Sequence, residues 1–157
     1  MRLHQIDPTL WVGSCPVDAE DSRALAAQGI GAVLSLQTDT DLKALGLRWE
    51  VLWGSHIAAG LAVERVPIRD FDKKDLGAQV ELALAALARL GDGGRAVYLH
   101  CTAGLNRSPT IAIAALAERY DLDPDAASEL LMRAHPGAVP YVDALQRWWK
   151  VRARARR

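Results

Sequence analysis

The sequence runs to 157 residues, half of them apolar, with 19 Lys or Arg balanced by 19 Asp or Glu. A chain of this length fits one domain and buries about 68–70% of its unfolded surface, so it requires no disulfide or metal staple. Zero net charge excludes an overall field that would gather nucleic acid or a membrane surface.

In chain order, Met1–Pro8 has no apolar signal region, and Leu10–Gly13 reads as a short strand. A helix is expected from Asp18 to Gln28, closed at Gly29, then a strand over Ala32–Leu36 bounded by the polar run Thr38–Asp41. Arg48–Ala59 reads as helical and Ala62–Ile68 as a strand. An Ala/Leu-rich helix over Leu76–Leu90 follows, with Asp75 as its expected cap, closed by Gly91–Gly94. Ala96–Leu99 is the most buried-looking strand, and a helix runs from about Arg107 to Tyr120. Asp123 then caps a helix with Pro124 at its first position, and Pro140 to about Val151 forms the last helix. The core spans about 8–150, and 152–157 is expected to be a solvated basic tail. Strands alternating with helices predict a single α/β domain with a mostly parallel sheet of about four to five strands flanked by helices. Ligands of such sheets bind at the carboxyl ends of the strands, and the junction after Leu99 is such a place.

The junction reads His100-Cys101-Thr102-Ala103-Gly104-Leu105-Asn106-Arg107-Ser108, with five residues between Cys101 and Arg107. The spacing alone is a weak signal, but a strand before, a helix after and a glycine within describe a phosphate cradle. Backbone N–H groups at a helix N-terminus converge on an anion. Gly104 lets the chain turn, and Arg107 can grip two oxygens in a planar fork. The same field lowers a thiol pKa, so Cys101 is expected as a thiolate nucleophile forming a phosphocysteine. His100 is read as fixing the loop backbone. Ser108 is read as a donor to the thiolate when it leaves. The loop residues Thr102 to Asn106 are the expected phosphate-binding positions. A buried structural Cys is the alternative. His4, His56 and His135 are scattered, so neither a metal nor a cofactor is expected.

This segment, HCTAGLNRSP, resembles the dual-specificity branch of the protein-tyrosine-phosphatase superfamily, whose loop reads His-Cys-x5-Arg-Ser/Thr. Within that branch the chain is most similar to the plant glucan phosphatases and, more distantly, to laforin. The further segments are VGSCP at 12–16, LSLQTDTDLKALG at 34–46, IRDFD at 68–72 and VPYVDAL at 139–145. Two positions depart from the glucan pattern: Asn106 stands where Gly usually precedes the loop Arg, and Ala44-Leu45 replaces an aromatic pair. The resemblance implies the cysteine-phosphatase fold.

Protonating the leaving oxygen requires an acid on a separate loop. Asp70 and Asp72 are the candidates, and the resemblance favours Asp70 with Asp72 in reserve. The resemblance also makes the neighbouring Phe71 a candidate sugar platform. Trp49 and Trp53 are four apart and can share a helix face; core packing is the preferred reading, a replacement for the missing aromatic pair the other. Trp148 and Trp149 read as packing or a partner patch, and Tyr141 as a rim residue. Cys15 is the one intramolecular partner available to Cys101 for redox control.

The expected activity is phosphomonoester hydrolysis, on phosphorylated α-glucan or a related phosphosugar polymer. The alternatives are a protein tyrosine or dual-specificity phosphatase, a phosphoinositide substrate, or a phosphate-binding module without turnover. With two cysteines and no signal region the protein is expected to be cytoplasmic, a monomer, and without a nucleic-acid or membrane partner.

Overall fold

The structure is a computed structural model that describes residues 1–156. The elements are β1 (Leu3–Asp7), β2 (Leu10–Gly13), α1 (Ala19–Ala27), β3 (Ile30–Ser35), α2 (Asp39–Ala44), α3 (Trp49–Ala58) and β4 (Ala62–Arg65). They continue with α4 (Lys73–Leu90), β5 (Ala96–His100), α5 (Arg107–Tyr120), α6 (Pro124–Ala134) and α7 (Gln146–Ala155). The sheet has five strands in the order β1-β2-β5-β3-β4. Only β1, at the edge, is antiparallel to its neighbour.

Side chains alternate across the sheet as a period of two requires. Leu10, Val12, Ala32, Leu34, Val97 and Leu99 face α4, α5 and α6 in the larger core. Ile30, Val33 and Tyr98 face the other side, against Leu25 of α1 and Leu61. Both faces are covered, which explains why β3 and β5 read as continuous apolar runs.

The register sets the location of the site. Gly13 pairs with His100, His100 with Ser35, and Ser35 with Arg65. All four parallel strands therefore end in one row, and the loops that leave them meet above it.

Several expectations change. The N-terminal strand β1 was not expected, because its pattern is short and only partly apolar; β2 supplies its hydrogen bonds. Helix α2 begins within the run read as polar boundary and continues to Ala44, started by a capping box in which Thr38 and Asp41 satisfy each other's amides. The ladder of β4 ends at Arg65, although Val66 and Ile68 still donate to Ser35 and Leu36 carbonyls. Helix α4 begins one turn earlier than expected. Its cap is Asp72, whose Oδ1 accepts from the Asp75 amide at 2.9 Å. Asp75 instead holds the Arg69 amide at 2.8 Å. The last helix begins at Gln146, after a single 3-10 turn at Val142–Leu145.

The expected solvated tail is, through residue 155, the last part of α7. Arg152 pairs with Glu81 at 2.8 Å and with Glu118, and Arg156 pairs with Asp121. The Arg152 guanidinium also stacks 5.4 Å from the Trp148 ring. Arg157, the end of the predicted tail, lies outside the described residues. No helix among the described residues is long and apolar enough to cross a membrane.

Candidate active site

The loop between β5 and α5 turns its carbonyls outward. His100 Nδ1 donates to the Cys101 carbonyl at 2.9 Å. The Cys15 amide donates to Thr102 O at 2.9 Å, and His135 Nε2 to Gly104 O at 2.8 Å. The Val139 amide holds Leu105 O at 2.6 Å, and the Thr110 hydroxyl holds Asn106 O at 2.7 Å. Among the described residues, the amides of Thr102 to Asn106 donate no hydrogen bond within the protein. With the carbonyls turned out and the amides unpartnered, the loop is an anion cradle, and it lies at the N-terminus of a 14-residue helix.

Gly104 is required twice over. Its φ is +74°, and a Cβ there would lie 2.4 Å from the Gly13 carbonyl carbon and 2.7 Å from the Ser14 amide. The loop thus rests directly on the end of β2. His100 is buried, and burial pushes its pKa down to about 4, so it is neutral at physiological pH and supports the loop through one ring nitrogen.

Cys101 is 2% exposed, and its Sγ lies 3.3 Å from Ser108 Oγ. Arg107 is equally buried. Its Nη1 donates to Asp41 Oδ2 at 2.6 Å and to the Ile68 carbonyl at 2.8 Å. Its Nη2 is 3.4 Å from Thr102 Oγ1 and 3.4 Å from Asp70 Oδ2. Nε is buried and has no partner in the protein. A guanidinium has five N–H donors in a fixed fork, so one edge is clamped while the Nε and Nη2 edge is aimed at the cradle.

Asp41 was not anticipated as a site residue. It lies 66 positions from Arg107, in the run read from sequence as a polar boundary. Burial alone would raise its pKa, but the Arg107 hydrogen bond and charge and the Thr38 amide outweigh burial and hold it below the ordinary carboxylate range. Folding therefore favours its ionised form. That contribution is present wherever an unfolded Asp is ionised and vanishes as pH falls through the lower folded value. Asp41→Ala is expected to cost about 3 kcal/mol in urea unfolding, because it strands a buried guanidinium. It should also flatten the acid limb of the stability curve and lower phosphatase kcat/KM by about tenfold or more as Arg107 loses its aim.

Asp70 stands across the cradle. Its side chain is 34% exposed, its Oδ1 accepts from the Phe71 amide at 3.1 Å, and its Oδ2 is the atom facing Arg107. Asp72 is committed to capping α4 and to Arg69, and the described residues give it no contact with the cradle. Phe71 is 82% exposed and holds a left-handed backbone, φ +57°, rare for a bulky residue. This places a bare aromatic ring beside the candidate acid.

The remaining candidates are distributed differently. Asn106 turns its side chain away from the cradle, donating to Val139 O at 2.8 Å, so it ties down the segment after α6. Ala103 is exposed and Leu105 half-buried on the loop. Trp49 and Trp53 do not pack in the core as preferred from sequence. Arg65 covers Trp49 at 4.9 Å, Trp53 is exposed, and α3 buries Leu52 and His56 instead. Trp148 does pack in the core, with Trp149 against its edge. The Tyr141 ring carries Lys73 5.0 Å away. Both cysteines are free thiols, and burial pushes the Cys15 thiol up, partly offset by Gln37. Among the described residues no three His, Cys, Asp or Glu side chains group to hold a metal ion.

The chain is similar to known phosphatases. The family described as "Polymorphic toxin system, DSP-PTPase phosphatase" matches residues 12–119. The chain is 30% identical over 135 residues to the chloroplastic phosphoglucan phosphatase LSF1 of Arabidopsis thaliana, covering 86% of this chain and 23% of that protein. It is 29% identical over 145 residues to the amyloplastic phosphoglucan phosphatase DSP4 of Castanea sativa, covering 90% and 38%. The chain thus spans about a quarter to two-fifths of these relatives. In fold it is similar to the crystal structure of PTPMT1, with a TM-score of 0.81 over 98% of each chain at 21% identity.

Proposed function

The chain belongs to the DSP-PTPase phosphatase family, and from that premise we propose that it hydrolyses phosphomonoesters through a phosphocysteine intermediate. The observation that carries this is the Cys101–Arg107 loop with its amides unpartnered and its carbonyls tied away. In-line attack by the Cys101 thiolate on phosphorus forms the S–P bond as the ester P–O bond breaks. The loop amides and the Nε and Nη2 edge of Arg107 stabilise the equatorial oxygens. Asp70 protonates the leaving oxygen, then takes a proton from the water that cleaves the S–P bond. Ser108, 3.3 Å from Sγ, donates to the departing thiolate.

The substrate class proposed is phosphorylated α-glucan or a related phosphosugar polymer. Similarity to two phosphoglucan phosphatases over 86% and 90% of the chain supports it, as does the exposed Phe71 ring beside Asp70, a surface on which a sugar can stack. Phosphate release from phosphorylated amylopectin is expected to exceed release from phosphotyrosine peptides at matched phosphate concentration. Phe71→Ala should lower the glucan rate about tenfold and leave aryl phosphate hydrolysis within about twofold. A preference for the peptides would reverse the assignment to a protein phosphatase. We further propose that the protein works as a cytoplasmic monomer.

A further inference from the structure

Gln37 is fully buried in the turn that follows β3, and the mechanism above makes no use of it. Its Nε2 donates to Thr102 Oγ1 at 3.1 Å, while its Oε1 is buried with no partner. A buried, unpartnered carbonyl is destabilising, and an apolar side chain of similar size would fill this space without that penalty. Packing alone is therefore a poor account of Gln37. Its amide holds the Thr102 hydroxyl and also borders the Cys15 thiol.

That hydroxyl has two acceptor positions and one proton. Thr102 Oγ1 accepts from Gln37 Nε2 at 3.1 Å and from Arg107 Nη2 at 3.4 Å, so both acceptor positions are filled. The proton cannot point at either donor. The Thr102 carbonyl is turned back to the Cys15 amide, and the residue is half-buried between a buried Gln37 and a buried Arg107. The direction left to the proton is the open side of the loop, where the unpartnered amides and the Arg107 Nε and Nη2 edge converge. Arg107 Nη2 also meets Asp70 Oδ2 at 3.4 Å, so the hydroxyl and the candidate acid stand at the same guanidinium nitrogen.

We propose that the Thr102 hydroxyl is a further hydrogen-bond donor to the phosphoryl group, and that Gln37 is the positioning residue that turns its proton into the cradle. The proposal rests on the phosphatase reading. The donor is oriented before the substrate arrives, so it gains most where charge grows on the equatorial oxygens. Gln37 reaches the phosphoryl group through Thr102, while its side chain also borders the Cys15 thiol.

The test compares Thr102→Val, which keeps the shape and removes the hydroxyl, with Thr102→Ser, which keeps the hydroxyl. Para-nitrophenyl phosphate gives kcat/KM, and orthovanadate gives the affinity for a trigonal-bipyramidal oxyanion. Thr102→Val is expected to lower kcat/KM by about 10²-fold and to weaken vanadate by about tenfold or more. Thr102→Ser should stay within about threefold of the parent on both. Gln37→Leu should lower kcat/KM by about tenfold alone and by nothing further in the Thr102→Val background, since it acts on the same donor. Equal activity in Thr102→Val and the parent would overturn the proposal. So would a Thr102→Ser protein as impaired as Thr102→Val, or Gln37 and Thr102 effects that multiply. If Thr102→Val does not fold, Thr102→Ala serves against Thr102→Ser with the same readouts. Hydrolysis that survives Cys101→Ser marks the separate failure of the phosphatase reading.

Discussion

Cys101→Ser is expected to lower aryl phosphate hydrolysis by about 10⁴-fold or more, because an alcohol at this position is neither ionised nor a good leaving group in the second step. The substitution trades sulfur for oxygen in a residue that is 2% exposed, so the fold is expected to persist. Its thermal midpoint should remain within a few degrees of the parent. The free amides of Thr102 to Asn106 and the Arg107 fork also remain, and Cys101→Ser should still bind inorganic phosphate or vanadate as an anion cradle. Turnover would thereby be separated from binding. A non-catalytic phosphate-binding module would instead show no hydrolysis in the parent and unchanged binding in Cys101→Ser.

The second large effect is at Arg107. Arg107→Lys is expected to lower kcat/KM by about 10³-fold, measured on the same substrate. A lysine retains the charge but has neither the fork nor the planar edge. It cannot hold Asp41 Oδ2 and the Ile68 carbonyl with one nitrogen while offering two more donors to the phosphoryl oxygens, as Arg107 is placed to do. The loss should fall on kcat more than on KM for a good leaving group, because the contacts strengthen in the transition state. Stability should fall as well, by about 1–3 kcal/mol in urea unfolding, because the Ile68 carbonyl or Asp41 is left short of a partner. Lys activity within threefold of the parent would show that Arg107 serves only as a charge.

The parts of this site that were legible in sequence are those held by neighbours in the chain. Cys101, Arg107 and Ser108 sit on one strand–loop–helix unit, where the apolar run, the glycine and the helix start are all local signals. The same holds for the Asp123–Pro124 helix start, which formed as the cap chemistry predicts. Asp41, Gln37 and His135 escaped notice because their partners lie far along the chain: Arg107, Thr102 and the Gly104 carbonyl. A capping-box spacing at Thr38 and Asp41 is present in a run read as a polar boundary, and nothing local says that a capping carboxylate also clamps an arginine. The cap expected at Asp75 is Asp72, the residue held in reserve as the acid, because both lie within a turn of the helix start. For the Trp residues of α3, core packing is preferred from sequence over a cleft-facing pair, and the fold leaves Trp53 exposed and Trp49 under Arg65. That helix is apolar nearly all round, so its periodicity does not say which face the fold covers.

The most direct measurement of the central claim is acid-quench peptide mass mapping of the enzyme during turnover of para-nitrophenyl phosphate. The Asp70→Asn variant is the enzyme of choice, since the aryl leaving group scarcely requires the acid while the hydrolysis of the intermediate requires the base. The account predicts one phosphoryl group on the peptide bearing Cys101, formed within the first turnover and missing in Cys101→Ser. Steady turnover without a phosphorylated peptide, or a phosphoryl group on any other residue, would contradict it.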